Sequence, residues 1–208
     1  MLSLTDYLAD PCGALSIPYW KAASITMPEN MAVIHDRQFP SEHSAYRSHE
    51  RYFRLFHNLR TISQTTPDFV RLVTARESDL ETIVSVINQC YPDIQVDHAQ
   101  IAGCRRTAVF DPALWVLAVH EDSDVCAGCG IADLDPQAGE LSLEWIQVLP
   151  QFRGQGIGQA IVNELLRRGA GKARFATVSG RADGSPAPER LYRSCGFTGD
   201  DIWHICQE

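Results

Sequence analysis

The sequence predicts an α/β (mixed α+β) fold, a mixed sheet carrying helices on its faces. Three observations predict it. Short apolar, β-prone segments recur from residue 69 onward: "FVRLVTA", "ALWVLAVHE", "DVCAGCGIADLD", "GELSLEWIQVLP", "ARFATVS" and "DIWHICQ". Segments with helical spacing lie between some of them, the clearest having Ile157, Ile161 and Leu165 on one stripe. The order is three antiparallel strands, then strand–helix–strand–helix–strand, an arrangement that places helices on both sides of a sheet.

The first 68 residues are less regular and read as an N-terminal extension. A short helix is expected near Ser3–Leu8, a strand near Met31–His35, and an element near Tyr52–Leu59. In "YFRLFHNL" the apolar residues fit neither the helical nor the strand period. "TISQTTPD" at 61–68 reads as a polar linker ending in a turn signal. A domain of residues 69–208 follows. The strand "FVRLVTA" leads to "RESDLETIVSVINQCY", where Ser78 or Asp79 can cap a helix with Leu80, Ile83 and Ile87 on one face. Residues 97–106 form a second, shorter helix. Two strands joined by a polar turn and a third strand ending at Val148 come next. A glycine loop then enters a helix running to about Arg168, whose basic last turn suits the helix dipole. A strand at "ARFATVS", a short helix ending at Cys195 and a last strand complete the chain. That short helix has Ser185 as cap, Pro186 or Pro188 early, and Gly196 after its end.

Composition narrows the function classes. The chain has 208 residues, 45% apolar and 21% charged, with a formal net charge of −8. Residues 1–68 carry 6 basic and 7 acidic side chains, and residues 69–208 carry 12 and 19. Such acidity argues against general nucleic-acid binding, which relies on clustered Lys and Arg to neutralise phosphates. The longest apolar run, "ALWVLAV", is too short to span a bilayer, and "MLSLTDYLAD" has no basic region ahead of an apolar core. Seven scattered cysteines leave one over from complete pairing, so a reducing, cytoplasmic setting without a membrane is expected. Oligomeric state is not legible; a homodimer is carried as an option.

The chemistry concentrates in "VLPQFRGQGIGQAIVNELLRR". Gly154, Gly156 and Gly158 sit at every second position between a strand and a helix. The loop has neither the Lys-Ser/Thr ending of a P-loop nor the G-x-G-x-x-G dinucleotide pattern, because Gln159 stands where the third glycine belongs. A helix opening within glycines aims free N–H groups at an incoming anion, with no side chains to obstruct it. The same glycines also suit a tight strand-to-helix turn that binds nothing.

"QVLPQFRGQGIGQA" resembles motif A, Q/R-x-x-G-x-G/A, of the GNAT superfamily of acyl-CoA-dependent N-acyltransferases. It fits in two overlapping frames, Gln151 to Gly156 and Arg153 to Gly158. "LYRSCGF" at 191–197 is similar to the family's later Y-x-x-x-G-F segment, about 35 residues on with a strand between. The resemblance spans roughly residues 69–208. It implies a GNAT-type mixed, partly splayed sheet and acetyl-CoA as acyl donor, with no metal. The pyrophosphate would be held by backbone N–H groups of Arg153, Gly154, Gln155, Gly156, Ile157 and Gly158. The pantetheine arm would pair with the backbone of Ile146, Gln147 and Val148, as an added strand pairs with a sheet edge.

The resemblance further implies an acid and a base. Tyr192, by motif position, would protonate the departing thiolate; its other reading is a ring packing the helix onto the sheet. A carboxylate on the strand before motif A commonly deprotonates the amine through water. On a regular strand Glu140, Ser142, Glu144, Ile146 and Val148 share one face. Glu144 is the first choice and Glu140 the reserve, each with a solvent-facing alternative; a bulge would change which side faces the cleft. Cys126 and Cys129 have C-x-x-C spacing, but on a regular strand they point to opposite faces, and no second ligand pair follows. The implied activity is direct acetyl transfer from acetyl-CoA to a primary amine in a ternary complex. The expected acceptor is a small amine or amino-acid-like metabolite; the alternatives are a protein or peptide amine, or a non-catalytic acyl-CoA sensor.

Overall fold

The computed structural model describes residues 2–39, 46–91, 94–185 and 187–207. In chain order the elements are α1 (Leu4–Ala9), α2 (Tyr19–Ser24), β1 (Met31–His35), β2 (Ser48–His57), β3 (Val70–Thr74), α3 (Leu80–Cys90), α4 (His98–Cys104) and β4 (Trp115–His120). Then follow β5 (Cys126–Asp135), β6 (Glu140–Val148), α5 (Ile157–Gly169), β7 (Phe175–Arg181), α6 (Ala187–Ser194) and β8 (Thr198–Gln207). The class is mixed α+β, as predicted. Two compact units divide the chain, Asn58–Ala176 on the one hand and Met1–His57 with Thr177–Glu208 on the other.

In the unit of residues 58–176, β3 to β6 form an antiparallel meander in the order β6-β5-β4-β3. Two bulges interrupt it, and both change which side chains share a face. On β6, Leu143 lies opposite Ala132 and Trp145 opposite Ile131, so Glu144 is an extra residue without a partner across the ladder. The regular-strand grouping therefore fails. Ile146 and Val148 share a face with Leu141 and Leu143, whereas Glu140 and Ser142 share the other face with Trp145 and Gln147. On β5, Ala118 faces Gly128 and Val119 faces Cys126, leaving Ala127 extra. This bulge brings Cys126 onto the same face as Cys129, correcting the expectation that they point apart.

Each face has its own helices. α5 lies on the Gly128 and Gly130 side, so closely that a Cβ at Gly130 would sit 2.3 Å from the Ile161 side chain. Small residues on the strand thus admit the stripe of Ile161 and Leu165. The opposite face carries α3 and α4, burying Leu80, Ile83, Ile87 and Ile101 against Trp115, Leu117, Cys129 and Ile131. Asp79 stands at the N-cap position of α3, but its carboxylate accepts from the Arg76 N–H (2.7 Å) rather than capping the helix. Asp97 and Gln100 form a reciprocal capping box at the start of α4.

In the other unit, β8 lies between β1 and β2, antiparallel to both, and β7 follows β2 in the order β1-β8-β2-β7. Within "YFRLFHNL", residues 52–57 resolve as strand. Its period was unreadable because Phe53, Arg54 and Leu55 are consecutively buried, so the strand shows no alternation of apolar and polar residues there. Arg54 is held there by the Pro11 carbonyl (3.1 Å), Ser179 Oγ (3.0 Å) and the Tyr7 hydroxyl (2.9 Å). α1 begins where expected, with Ser3 accepting from the Asp6 N–H. Pro186 lies outside the described residues, while Ser185 Oγ accepts from the Ala187 N–H at the start of α6 (3.3 Å).

Candidate active site

The geometry of the site starts with how β6 ends. Its last carbonyl, Val148, accepts from Arg153 Nε (3.0 Å) and from the Cys90 thiol at the end of α3 (3.4 Å). Pro150 then starts a tight turn through Phe152, in which the Phe152 N–H returns to the Leu149 carbonyl (2.9 Å) and the Arg153 N–H to that of Pro150 (3.3 Å). Arg153 therefore points back along the strand instead of outward over the loop.

Beyond Arg153 the backbone opens. Gly154 and Gly156 adopt φ of +77° and +82°, a left-handed conformation costly for residues with a Cβ. Gly156 is the N-cap of α5, and the first backbone hydrogen bond of that helix runs from the Ala160 N–H to the Gly156 carbonyl (3.0 Å). The N–H groups of Gly154 to Gly158 have no backbone acceptor among the described turn and cap bonds. They stand at the positive end of a 13-residue helix. A Cβ at Gly154 would meet nothing within 4 Å, so its space is open to an approaching group. These features suit a diphosphate, which needs several backbone donors and close approach.

Ile146, Gln147 and Val148 thus lead directly into the loop of Arg153 to Gly158. Glu144 is half-buried at the bulge and accepts from Ser142 Oγ (2.8 Å). Glu140 is fully buried at the far end of β6, opposite Asp135, roughly 12 Å from Glu144 at strand rise. Trp145 packs partly against the α3–α4 core and meets Tyr91 edge-on, with ring centroids 6.4 Å apart. Sequence reasoning missed Arg153 and Cys90 as ligands of the Val148 carbonyl, since only tertiary structure brings them together.

Tyr192 belongs to the other compact unit and is 8% exposed, packed between Phe53 and Phe197 with centroids 6.1 and 5.8 Å away. Its motif has a local structural cause. Gly196, at φ +92°, follows the last turn of α6. The Phe197 N–H bonds to the Tyr192 carbonyl (3.1 Å), and the Gly196 N–H to that of Arg193 (3.0 Å). That pattern is a Schellman cap, with Phe197 touching Tyr192 as its apolar closure.

Burial disfavours the thiolate form of several cysteines. Burial pushes the Cys90 and Cys126 thiols up, raises Cys129 well above the usual range, and takes Cys195 to about 11. Among the described residues no cluster of three or more His, Cys, Asp or Glu side chains could hold a metal ion. No helix in the described residues is long and apolar enough to cross a membrane.

The family model for the GNAT acetyltransferase domain matches residues 97–199, from α4 through the glycine loop to the start of β8. This segment is a GNAT acetyltransferase domain. The fold resembles that of the GCN5-related N-acetyltransferase from Sphaerobacter thermophilus, with TM-score 0.70 and 19% identity. That likeness covers 91% of this chain and 63% of the Sphaerobacter protein. A GNAT-family acetyltransferase from Colwellia psychrerythraea gives TM-score 0.63 and 14% identity over 86% of this chain and 65% of that one. The ribosomal-protein-S18-alanine N-acetyltransferase from Escherichia coli gives TM-score 0.54 and 16% identity over 66% and 92%. No curated protein matches the sequence. At these identities the structural likenesses speak for the GNAT fold alone, and this chain spans less than two thirds of the length of the Sphaerobacter protein.

Proposed function

We propose that this GNAT domain moves an acetyl group from acetyl-CoA to the primary amine of a small, amino-acid-like metabolite, by direct transfer in a ternary complex. The observation that carries the reading is the run of backbone N–H groups from Gly154 to Gly158, opening onto α5 directly after the bulged strand β6. Residues 153–158 hold the pyrophosphate, and the backbone of Ile146 to Val148 pairs with the pantetheine amides. Backbone N–H near Val148 supports the oxyanion that forms when the amine attacks the thioester carbon.

The carbon–nitrogen bond forms as the carbon–sulfur bond breaks. Tyr192 gives its proton to the departing thiolate, and Glu144 takes the amine proton through water. Glu144 suits this role better than Glu140, because it is half-buried at the bulge whereas Glu140 is sealed within the unit. A covalent cysteine route is disfavoured by the raised thiols of Cys90, Cys126, Cys129 and Cys195. The acidic balance argues against nucleic-acid partners, and seven scattered cysteines suit a reducing, cytoplasmic setting.

Thiol release from acetyl-CoA across a panel of polyamines, amino acids and N-terminal peptides tests the reading. Turnover confined to small amines is expected. Turnover on peptides alone would reassign the acceptor, and binding of acetyl-CoA with no turnover on any amine would make the domain a sensor.

A further inference from the structure

We propose that the turn at Pro67–Val70, where the polar linker enters β3, positions the glycine loop for coenzyme A, with Pro67 as its brace. This role rests on the reading of that loop as the diphosphate site. It gives a task to a segment whose sequence reads only as a connection. Every residue involved lies within the unit of residues 58–176.

The glycine loop needs support from outside itself. Gly154 and Gly156 are both at positive φ, and glycine has more backbone freedom to lose than any other residue. The N–H groups of Gly154 to Gly158 have no backbone acceptor among the described turn and cap bonds, so such bonds do not stitch the loop together. Yet backbone donors favour a bound anion most when they already stand in place, because ordering them on binding costs affinity. The two glycines differ in their surroundings. A Cβ at Gly154 would meet nothing within 4 Å, whereas one at Gly156 would lie 3.5 Å from Pro67 Cγ, an ordinary contact. The loop is thus open at Gly154 and backed at Gly156. Proline suits the back, because its ring fixes its own φ.

The brace is itself held. The Val70 N–H bonds to the Pro67 carbonyl (3.0 Å), which closes the turn. The Glu121 N–H donates to the Phe69 carbonyl (2.8 Å), which fastens the turn beside the end of β4. Side chains repeat the connection. The Phe69 ring lies 5.7 Å from that of His120, the last residue of β4, and the His120 ring lies 5.7 Å from that of Phe152. Ser123 Oγ meets His120 Nδ1 at 3.3 Å and holds the middle ring. Phe152 ends the tight turn just before Arg153 and packs against the α3–α4 core. The glycine loop is therefore tied to one linker turn at both ends. The ring column reaches its entry at Phe152, and Pro67 reaches the N-cap of α5 directly.

Two measurements on the full chain test this: calorimetric titration with coenzyme A, and NMR order parameters of the backbone amides without ligand. Pro67→Ala removes the brace, and His120→Ala breaks the ring column; both residues are half-buried. Each substitution is expected to weaken coenzyme A binding about tenfold and to lower the order parameters of residues 154–158 below those of rigid backbone. The order parameters of α3 are expected to stay as they are, which a general loss of packing would not allow. If the unmodified protein does not bind coenzyme A, the reading of the loop falls and the brace falls with it. If it binds and both variants bind equally well, the reading of the loop stands and the brace alone is overturned. Weaker binding with an unchanged loop, or a loosened loop with unchanged affinity, would overturn the brace as well.

Discussion

Glu144 and Tyr192, the proposed base and acid, show how surroundings fix a single position. Glu144 is the one residue of β6 between Leu143 and Trp145 that pairs with nothing across the sheet. Its carboxylate is therefore displaced from the ladder and held by Ser142 rather than buried with Glu140 and Asp135. Tyr192 is fixed by its place in a helix cap, with ring contacts on Phe53 and Phe197. Removing only its hydroxyl keeps those contacts. For Tyr192→Phe, steady-state kinetics with a good acceptor are expected to show kcat reduced about a hundredfold, as for loss of a general acid, with the KM for acetyl-CoA little changed. An unchanged kcat would remove this tyrosine from the chemistry and leave it a packing residue.

At the scale of elements, both sequence motifs are statements about helix ends. The glycine loop leaves the N–H groups of Gly154 to Gly158 without a backbone acceptor among the described turn and cap bonds, and the Y-x-x-x-G-F segment closes α6 with a Schellman cap. These signals were legible because each rests on a glycine at positive φ within a few residues of its helix. The bulges at Ala127 and Glu144 were not legible. An extra strand residue shows only against its partner strand, and nothing in "CAGCGIADLD" or "ELSLEWIQV" marks it. The expected common face of Glu140, Glu144 and Val148 failed for that reason, as did the expectation for Cys126 and Cys129. Gly196→Ala is expected to cost about 1–2 kcal/mol, because it imposes a Cβ at positive φ. That Cβ would also lie 3.0 Å from His57 Nε2. Thermal melting measures this; a melting temperature equal to that of the unmodified protein would contradict the cap assignment.

Across the whole molecule, what the sequence conceals is long-range. The segment before residue 58 supplies β1 and β2, both paired with β8 at the other end of the chain. No local period could reveal this for β2, whose Phe53, Arg54 and Leu55 are buried one after another. The meander of β3 to β6 was readable because its strands are sequential neighbours, bounded by turn residues. The GNAT domain was readable for a different reason: two short motifs stand in a fixed order, at residues 151–158 and 191–197, whatever the remaining residues are.

The measurement that tests this most directly is a calorimetric titration of the full chain with acetyl-CoA, repeated on the Gly154→Ala, Gly156→Ala double variant. Saturable binding at one site per chain is expected, at least tenfold weaker in the double variant, whose added Cβ atoms distort the backbone donors. Absence of binding to the unmodified protein, or equal binding to both proteins, would contradict the assignment of the glycine loop to coenzyme A.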